Sequence, residues 1–216
     1  MDPMDRWPTE GRLAETACKV SWEVEPSAAA PHHAAMSIAT KTGDNGSTAL
    51  MFGRRVSKAD PRVDSYGAVD ELNAALGMVR AFVEDDAISG QVLSIQKELV
   101  TLMGELAVDP QDYARYGEKG FEYVTSAMVD RLTGIIDHLE QHHRISFKHW
   151  ATPGACRESA PLDVARTICR RAERRVVALQ ESGASVNPEI IRFLNRLSDL
   201  CWLWARFIET RRGLAD

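Results

Sequence analysis

Long apolar runs are missing from this 216-residue chain; none approaches the roughly 20 residues that span a bilayer. A surplus of positive charge is missing too. Lys and Arg number 26 against 31 Asp and Glu, and the formal net charge of −5 argues against a general nucleic-acid surface. Cysteine is scarce. Cys18, Cys156, Cys169 and Cys201 are widely spaced and form no CxxC pair, which argues against a structural zinc site or a disulfide framework and for reduced thiols in the cytoplasm. No glycine loop ends in GK[ST], so a Walker A phosphate site is excluded. The first residues lack the apolar core of a secretory signal, and their acidic residues argue against a transit peptide.

Residues 1–36 combine prolines with an alanine run and no sustained periodicity, and are expected to be a disordered extension. A single domain is expected over 37–216. It opens with a polar loop, TKTGDNGSTALMFGRRVSK, and then turns helical. Five long helices are predicted, at about 61–84, 88–108, 124–143, 161–182 and 188–212. The second carries Val92, Ile95, Leu99, Leu102, Met103 and Leu106 at steps of three and four. The fourth repeats the pattern with Leu162, Ala165, Ile168, Cys169, Ala172, Val176 and Leu179. Asn187-Pro188 reads as a cap followed by proline at the start of the fifth. Long helices with short connections predict an all-α antiparallel five-helix bundle of ferritin-like up-down architecture.

Against the acidic background, RTICRRAERR at 166–175 holds five arginines in ten positions. On a helix, Arg166, Arg170 and Arg174 line one edge with Glu173 beside them, and Arg171 and Arg175 line a second. Like charges at that spacing repel. Two readings stand: a solvated helix salt-bridged to its neighbours, or a site for a polyanion, since guanidinium forks match phosphate oxygens.

The loop TKTGDNGST offers Lys41, Asp44, the glycines Gly43 and Gly46, and hydroxyls at Thr40, Thr42, Ser47 and Thr48. Closely spaced glycines let a backbone turn its N–H groups toward an anion, but a tight polar turn has the same composition. Lys58 is a further cation nearby. Asp70 could pair with an arginine of the fourth helix or of another subunit. Asn195 shares a helix side with Ser198 and Asp199. His138 and His142 have a metal-compatible spacing but no third ligand, so no protein metal site is assigned.

Taken together, TKTGDNGST, the DPRVDSYGAVDELNAALG region, ARTICRRAERR and FLNRLSD, in this order over 38–212, resemble the PduO-type ATP:cob(I)alamin adenosyltransferases. The resemblance implies a homotrimer of five-helix bundles with active sites between subunits, acting on ATP, Mg²⁺ and cob(I)alamin. It implies ATP on the glycine loop, with Lys58 at the phosphates. Arg170, Arg171, Glu173, Arg174 and Asn195 would complete the nucleotide site. Arg166 would bridge to Asp70 of a neighbouring subunit, beside the corrin. Trp150, sixteen residues before Arg166, corresponds to an aromatic that packs below the corrin and helps to expel its lower axial ligand. Three positions depart from the family pattern: Trp150 stands for phenylalanine, Ala155 ends what is usually a Pro-Gly-Gly turn, and Asp163 replaces a histidine. A flavoprotein reductase and an adenosylcobalamin-dependent acceptor enzyme would be partners. A non-catalytic cobalamin escort and a helical nucleotide-binding module are the alternatives.

Overall fold

The computed structural model describes residues 39, 41–143, 145 and 150–214. The extension 1–36, Cys18 and Thr40 lie outside the described residues. The described elements belong to the unit Thr40–Asp216. They are a two-stranded hairpin, β1 (Ser47–Ala49) and β2 (Arg55–Ser57), followed by α1 (Pro61–Phe82), α2 (Asp86–Leu106), α3 (Tyr113–Glu118), α4 (Ser126–His142), α5 (Ser159–Glu181) and α6 (Pro188–Arg211). Five of these helices are long, as the periodicity predicts. None is long and apolar enough to cross a membrane.

Local chemistry accounts for the helix starts. Asp60 caps α1 by accepting from the Arg62 N–H at 2.8 Å, and Pro61 sits at the first helical position, where its missing donor costs nothing. Asp85 caps α2 through the N–H groups of Ala87 and Ile88. Asn187 and Pro188 repeat the device on α6, with Asn187 Oδ1 accepting from Glu189 N at 3.0 Å.

The core is built by the predicted stripes. Val92, Ile95, Leu99, Leu102 and Leu106 of α2 are buried, as are Leu162, Ala165, Cys169, Ala172, Val176 and Leu179 of α5. Their partners include Leu72, Leu76, Leu132, Phe193 and Leu197. Helix α5 lies between α1 and α6; α2 packs on α1, and α4 on α6. The guanidinium of Arg131 on α4 reaches Glu98 on α2 at 2.5 Å, joining the outer pair. Successive long helices alternate in direction. The α4–α6 neighbours run parallel: Val124 meets Asn187 at one end, and His143 meets Phe207 at the other.

Two features escape the sequence reading. The segment read as a glycine loop continues into the hairpin, with Ser47 opposite Ser57 and Ala49 opposite Arg55. Strands of three residues show no alternation long enough to detect. The hairpin tip docks on the bundle through Met51 N, which donates to Ala107 O at 2.9 Å. The second is α3 and its flanks. Phe52 at the tip packs edge-on to Phe121, with the Arg115 guanidinium 4.4 Å from its ring centre. Arg54 pairs with Asp112 at 3.0 Å. The 110–123 segment thus anchors the hairpin to the bundle end.

Glu105 ties that segment down. Its buried carboxylate accepts from Tyr113 Oη, from Val124 N at 2.7 Å and from Asn187 Nδ2 at 3.0 Å. Burial and the facing carboxylate push the Tyr113 phenol well above its ordinary range, so it stays a donor. Glu105→Gln is expected to leave one buried donor unmatched and to lower unfolding stability by about 1–3 kcal/mol. Chemical denaturation checks this, with an unchanged denaturant slope showing that the fold is kept.

Candidate functional site

The two arginine edges of α5 meet different fates. Arg171 pairs with Glu71 of α1, and Arg175 Nε lies 3.0 Å from Asp64 Oδ2. Both arginines of that edge thus have carboxylate partners on α1. On the other edge Arg170 and Arg174 are exposed and make no ion pair among the described residues. Glu173 and Asn195 are brought together: Asn195 Nδ2 donates to Glu173 Oε1 at 3.3 Å, and Asn195 Oδ1 accepts from Arg196 at 3.0 Å. The rotation of α5 that buries Cys169 and Ala172 leaves these groups on the surface beside α6.

The glycine loop is folded on itself. Asp44 N donates to Lys41 O at 3.4 Å and Gly46 N to Gly43 O at 3.2 Å. Gly46 adopts φ +78°, a conformation that favours glycine, and Lys41 is held at φ +57°. Gly43 lets Lys58 approach closely: a Cβ there would stand 3.0 Å from Lys58 Nζ and would push the amine aside. Lys58 is therefore laid against the loop, and its own N–H donates to Gly46 O at 2.9 Å. Asn45 Oδ1 accepts from Ser47 Oγ at 2.7 Å. Thr48 hydrogen-bonds the Tyr66 hydroxyl, partly offsetting the upward shift that burial gives this phenol. Asp44 is exposed. The sequence reading missed Arg55, which donates to Thr42 O at 2.7 Å and also bonds Ser47 Oγ. Nothing in the local sequence signalled that Arg55 would turn back into the loop.

Lys58 and Arg175 line one cleft of about 470 Å³ with Pro61, Val63 and Asp64. Lys58, laid against the loop, thus faces the C-terminal half of α5 within a single chain. Arg166 and Trp150 lie toward the other end. Arg166 Nε stands 3.9 Å from Asp163 Oδ1. Asp70 is exposed on α1 and makes no ion pair with Arg166 in the chain. Trp150 is 92% exposed. The described residues contain no group of three or more His, Cys, Asp or Glu side chains arranged to hold a metal.

A model of the family described as cobalamin adenosyltransferase matches residues 38–208. The chain belongs to the cobalamin adenosyltransferase family. It is 37% identical over 174 residues to the corrinoid adenosyltransferase PduO of Salmonella typhimurium, covering 79% of this chain. The chain spans about half of that relative, 49% of its length. It is 36% identical over 187 residues to the corrinoid adenosyltransferase of Bacillus subtilis, covering 84% of this chain and 91% of that one. Among solved structures, a variant PduO-type ATP:corrinoid adenosyltransferase from Lactobacillus reuteri, complexed with cobalamin and ATP, superposes with a TM-score of 0.76 at 33% identity. The match covers 83% of this chain and 95% of that one. Family membership and the helical bundle therefore agree with the motif order.

The asymmetry of the arginines is testable. Exposed ion pairs contribute little, so Arg171→Ala is expected to cost less than about 1 kcal/mol. Arg170→Ala, which relieves repulsion at i,i+4, is expected to leave stability within about 0.5 kcal/mol of the parent. Denaturant titrations of both variants check this. A large loss for Arg170→Ala would mean that it holds the bundle together.

Proposed function

We propose that this protein transfers the 5′-deoxyadenosyl group of ATP to the cobalt of reduced cob(I)alamin, releasing triphosphate, as a homotrimer with its sites between subunits. Residues 37–216 would be the catalytic domain, working in the cytoplasm. The observation that carries the reading is the bare edge of α5: two exposed guanidinium groups without counter-ions among the described residues, in a chain of net charge −5, next to the Glu173–Asn195 pair. A polyanion supplies the missing counter-charge. The names of the Salmonella and Bacillus relatives and the ligands of the Lactobacillus structure support the identity of that polyanion and of the acceptor.

The shared site has support in the geometry of one chain. Lys58, which rests against Gly43 of the glycine loop, lines a cleft with Arg175 in the C-terminal half of α5. The loop carrying Trp150 enters α5 at the opposite end. Between them runs a helix of 23 residues, about 34 Å long at 1.5 Å per residue. Asp70 and the outer part of Arg166 also lack each other within the chain. A second protomer brings one chain's loop, Lys58 and Asp70 to another chain's Arg166, Arg170 and Trp150.

Thr40, Lys41, Thr42, Gly43, Asp44, Gly46, Ser47 and Thr48 would wrap the phosphates, with Lys58 among them. Arg170 and Arg174 would stabilise the charge that grows on the leaving triphosphate; fixed cations aimed at developing charge are an effective source of rate. Glu173 and Asn195 would orient the nucleoside. Magnesium would arrive with the nucleotide, held by phosphate oxygens, and would neutralise part of their charge. Cobalt(I) is itself a strong nucleophile, so no side-chain base is required. What remains is placement of the 5′-carbon in line with cobalt. Trp150, exposed in the single chain, would serve as the apolar wedge under the corrin, excluding water and the lower ligand so that cobalt(II) accepts an electron. A flavoprotein reductase would supply that electron, and an adenosylcobalamin-dependent enzyme would receive the product.

An anaerobic assay with ATP and reduced cobalamin, following adenosylcobalamin and triphosphate together, tests the activity. Corrinoid binding without turnover, or ATP binding alone, would sink it. Arg170→Ala is expected to lower kcat/KM by about a hundredfold or more while size-exclusion chromatography still shows the assembled trimer. Trp150→Ala is expected to slow the reaction that starts from cobalt(II) more than the one that starts from preformed cobalt(I). Equal losses in both would remove the wedge from the mechanism.

A further inference from the structure

An ionic cluster lies beneath Arg166 that no step above uses. Asp163, Arg206 and Glu209 are 3%, 4% and 4% exposed. Arg206 Nη2 donates to Asp163 Oδ2 at 2.8 Å and to Glu209 Oε1 at 2.9 Å, and Arg206 Nε is 2.7 Å from Glu209 Oε2. The Trp202 ring covers the guanidinium at 5.6 Å. Two buried carboxylates therefore share one guanidinium, which leaves one negative charge unbalanced. An unpaired buried carboxylate is costly, so a second cation is required nearby.

Arg166 meets that requirement from the next turn of α5. Its Nε is 3.9 Å from Asp163 Oδ1. Both atoms are buried, and neither has a hydrogen-bond partner among the described residues. The separation is too long for a hydrogen bond, so the hold is by charge. With Nε buried, the side chain's exposed fraction, 28%, falls on its other atoms, on the edge of α5 that carries Arg170 and Arg174. Cys201 sits against the pair as neutral packing, because burial pushes its thiol up to about 12.

We propose that Asp163 is a positioning residue for Arg166: held rigidly by Arg206, its carboxylate grips the inner side of the Arg166 guanidinium and aims the outer N–H groups into the site. This rests on the reading of Arg166 as part of the adenosyltransferase site. Arg206 and Glu209 can neutralise each other without Asp163, so removing the Asp163 charge releases Arg166 while leaving a balanced buried pair. The roles of the two carboxylates are thereby separable: Asp163 serves Arg166, and Glu209 serves the fold.

The test is a double-mutant cycle in the assembled enzyme, measured as kcat/KM with ATP and reduced cobalamin and as unfolding stability. Asp163→Asn is expected to lower kcat/KM by about ten- to a hundredfold, the scale of a misplaced catalytic group. In an Arg166→Ala background the same change is expected to cost less than about threefold, because groups acting as one unit are not additive. Glu209→Gln is expected to reduce stability but to hold kcat/KM within about threefold. Equal multiplicative losses with and without Arg166, near-normal turnover of Asp163→Asn, or a loss in Glu209→Gln matching that of Asp163→Asn would each overturn the proposal. If Asp163→Asn does not fold, Asp163→Glu, which keeps the charge and moves it by one methylene, runs the same cycle with the same criteria. An inactive parent enzyme would instead refute the functional reading on which the proposal rests.

Discussion

The seating of α5 between α1 and α6 is the constraint on which the site depends. Its buried line runs through Leu162, Ala165, Cys169, Ala172, Val176 and Leu179, and the small residues in that line let two neighbours approach at once. Close packing of this kind fixes the rotation of a helix about its axis. Once the rotation is set, each arginine has one environment. Arg171 and Arg175 face the carboxylates of α1; Arg170 and Arg174 face outward beside α6; Arg166 reaches down to Asp163. A seating turned by one residue, about 100°, would carry Arg170 and Arg174 to the places that Arg171 and Arg175 hold beside α1.

The same seating separates permanent charge that is compensated from permanent charge that is not. Exposed pairs such as Arg175–Asp64 add little to stability, and their role is to keep one arginine row from repelling the other. The buried Asp163–Arg206–Glu209 cluster is different, because desolvation makes its balance matter. Between these extremes the bare guanidinium groups remain hydrated and ready to exchange water for phosphate oxygens. A polyanion that has to enter and leave suits such a surface better than a buried trap would.

Much of the fold was legible because it is locally encoded. Asp60-Pro61 and Asn187-Pro188 announce helix starts, and apolar residues at steps of three and four announce the buried faces. The hairpin was not legible: its strands are three residues long, and its tip is stabilised by contacts with Ala107, Arg115 and Phe121, far along the chain. In the candidate site, the two arginine rows could be read from spacing alone, but not which row α1 would neutralise, since that depends on which helix lies alongside. Arg206 and Asp163 are 43 positions apart, so their pairing has no local signature. The Arg206–Glu209 spacing of three was the one available hint. Arg55 had none, because its partners Thr42 and Ser47 meet it only after the chain reverses.

The ionisable groups of the site also bear on the kind of chemistry it can perform. Lys58 and the arginines of α5 line the site as cationic side chains, whereas Cys169 and Cys201 are held as neutral thiols by burial. Tyr66, near the loop, is likewise shifted away from ionisation. Such a set offers fixed electrostatics and geometry more readily than a proton relay. A substrate that brings its own nucleophile needs the first two and not the third. The hairpin then has a simple physical task. By resting Lys58 on Gly43, where a methyl group would crowd it, the loop holds its principal cation against the backbone that would wrap the nucleotide. Anchoring through Phe52 and Arg54 to the 110–123 segment lets that arrangement persist at the end of a bundle whose core lies elsewhere.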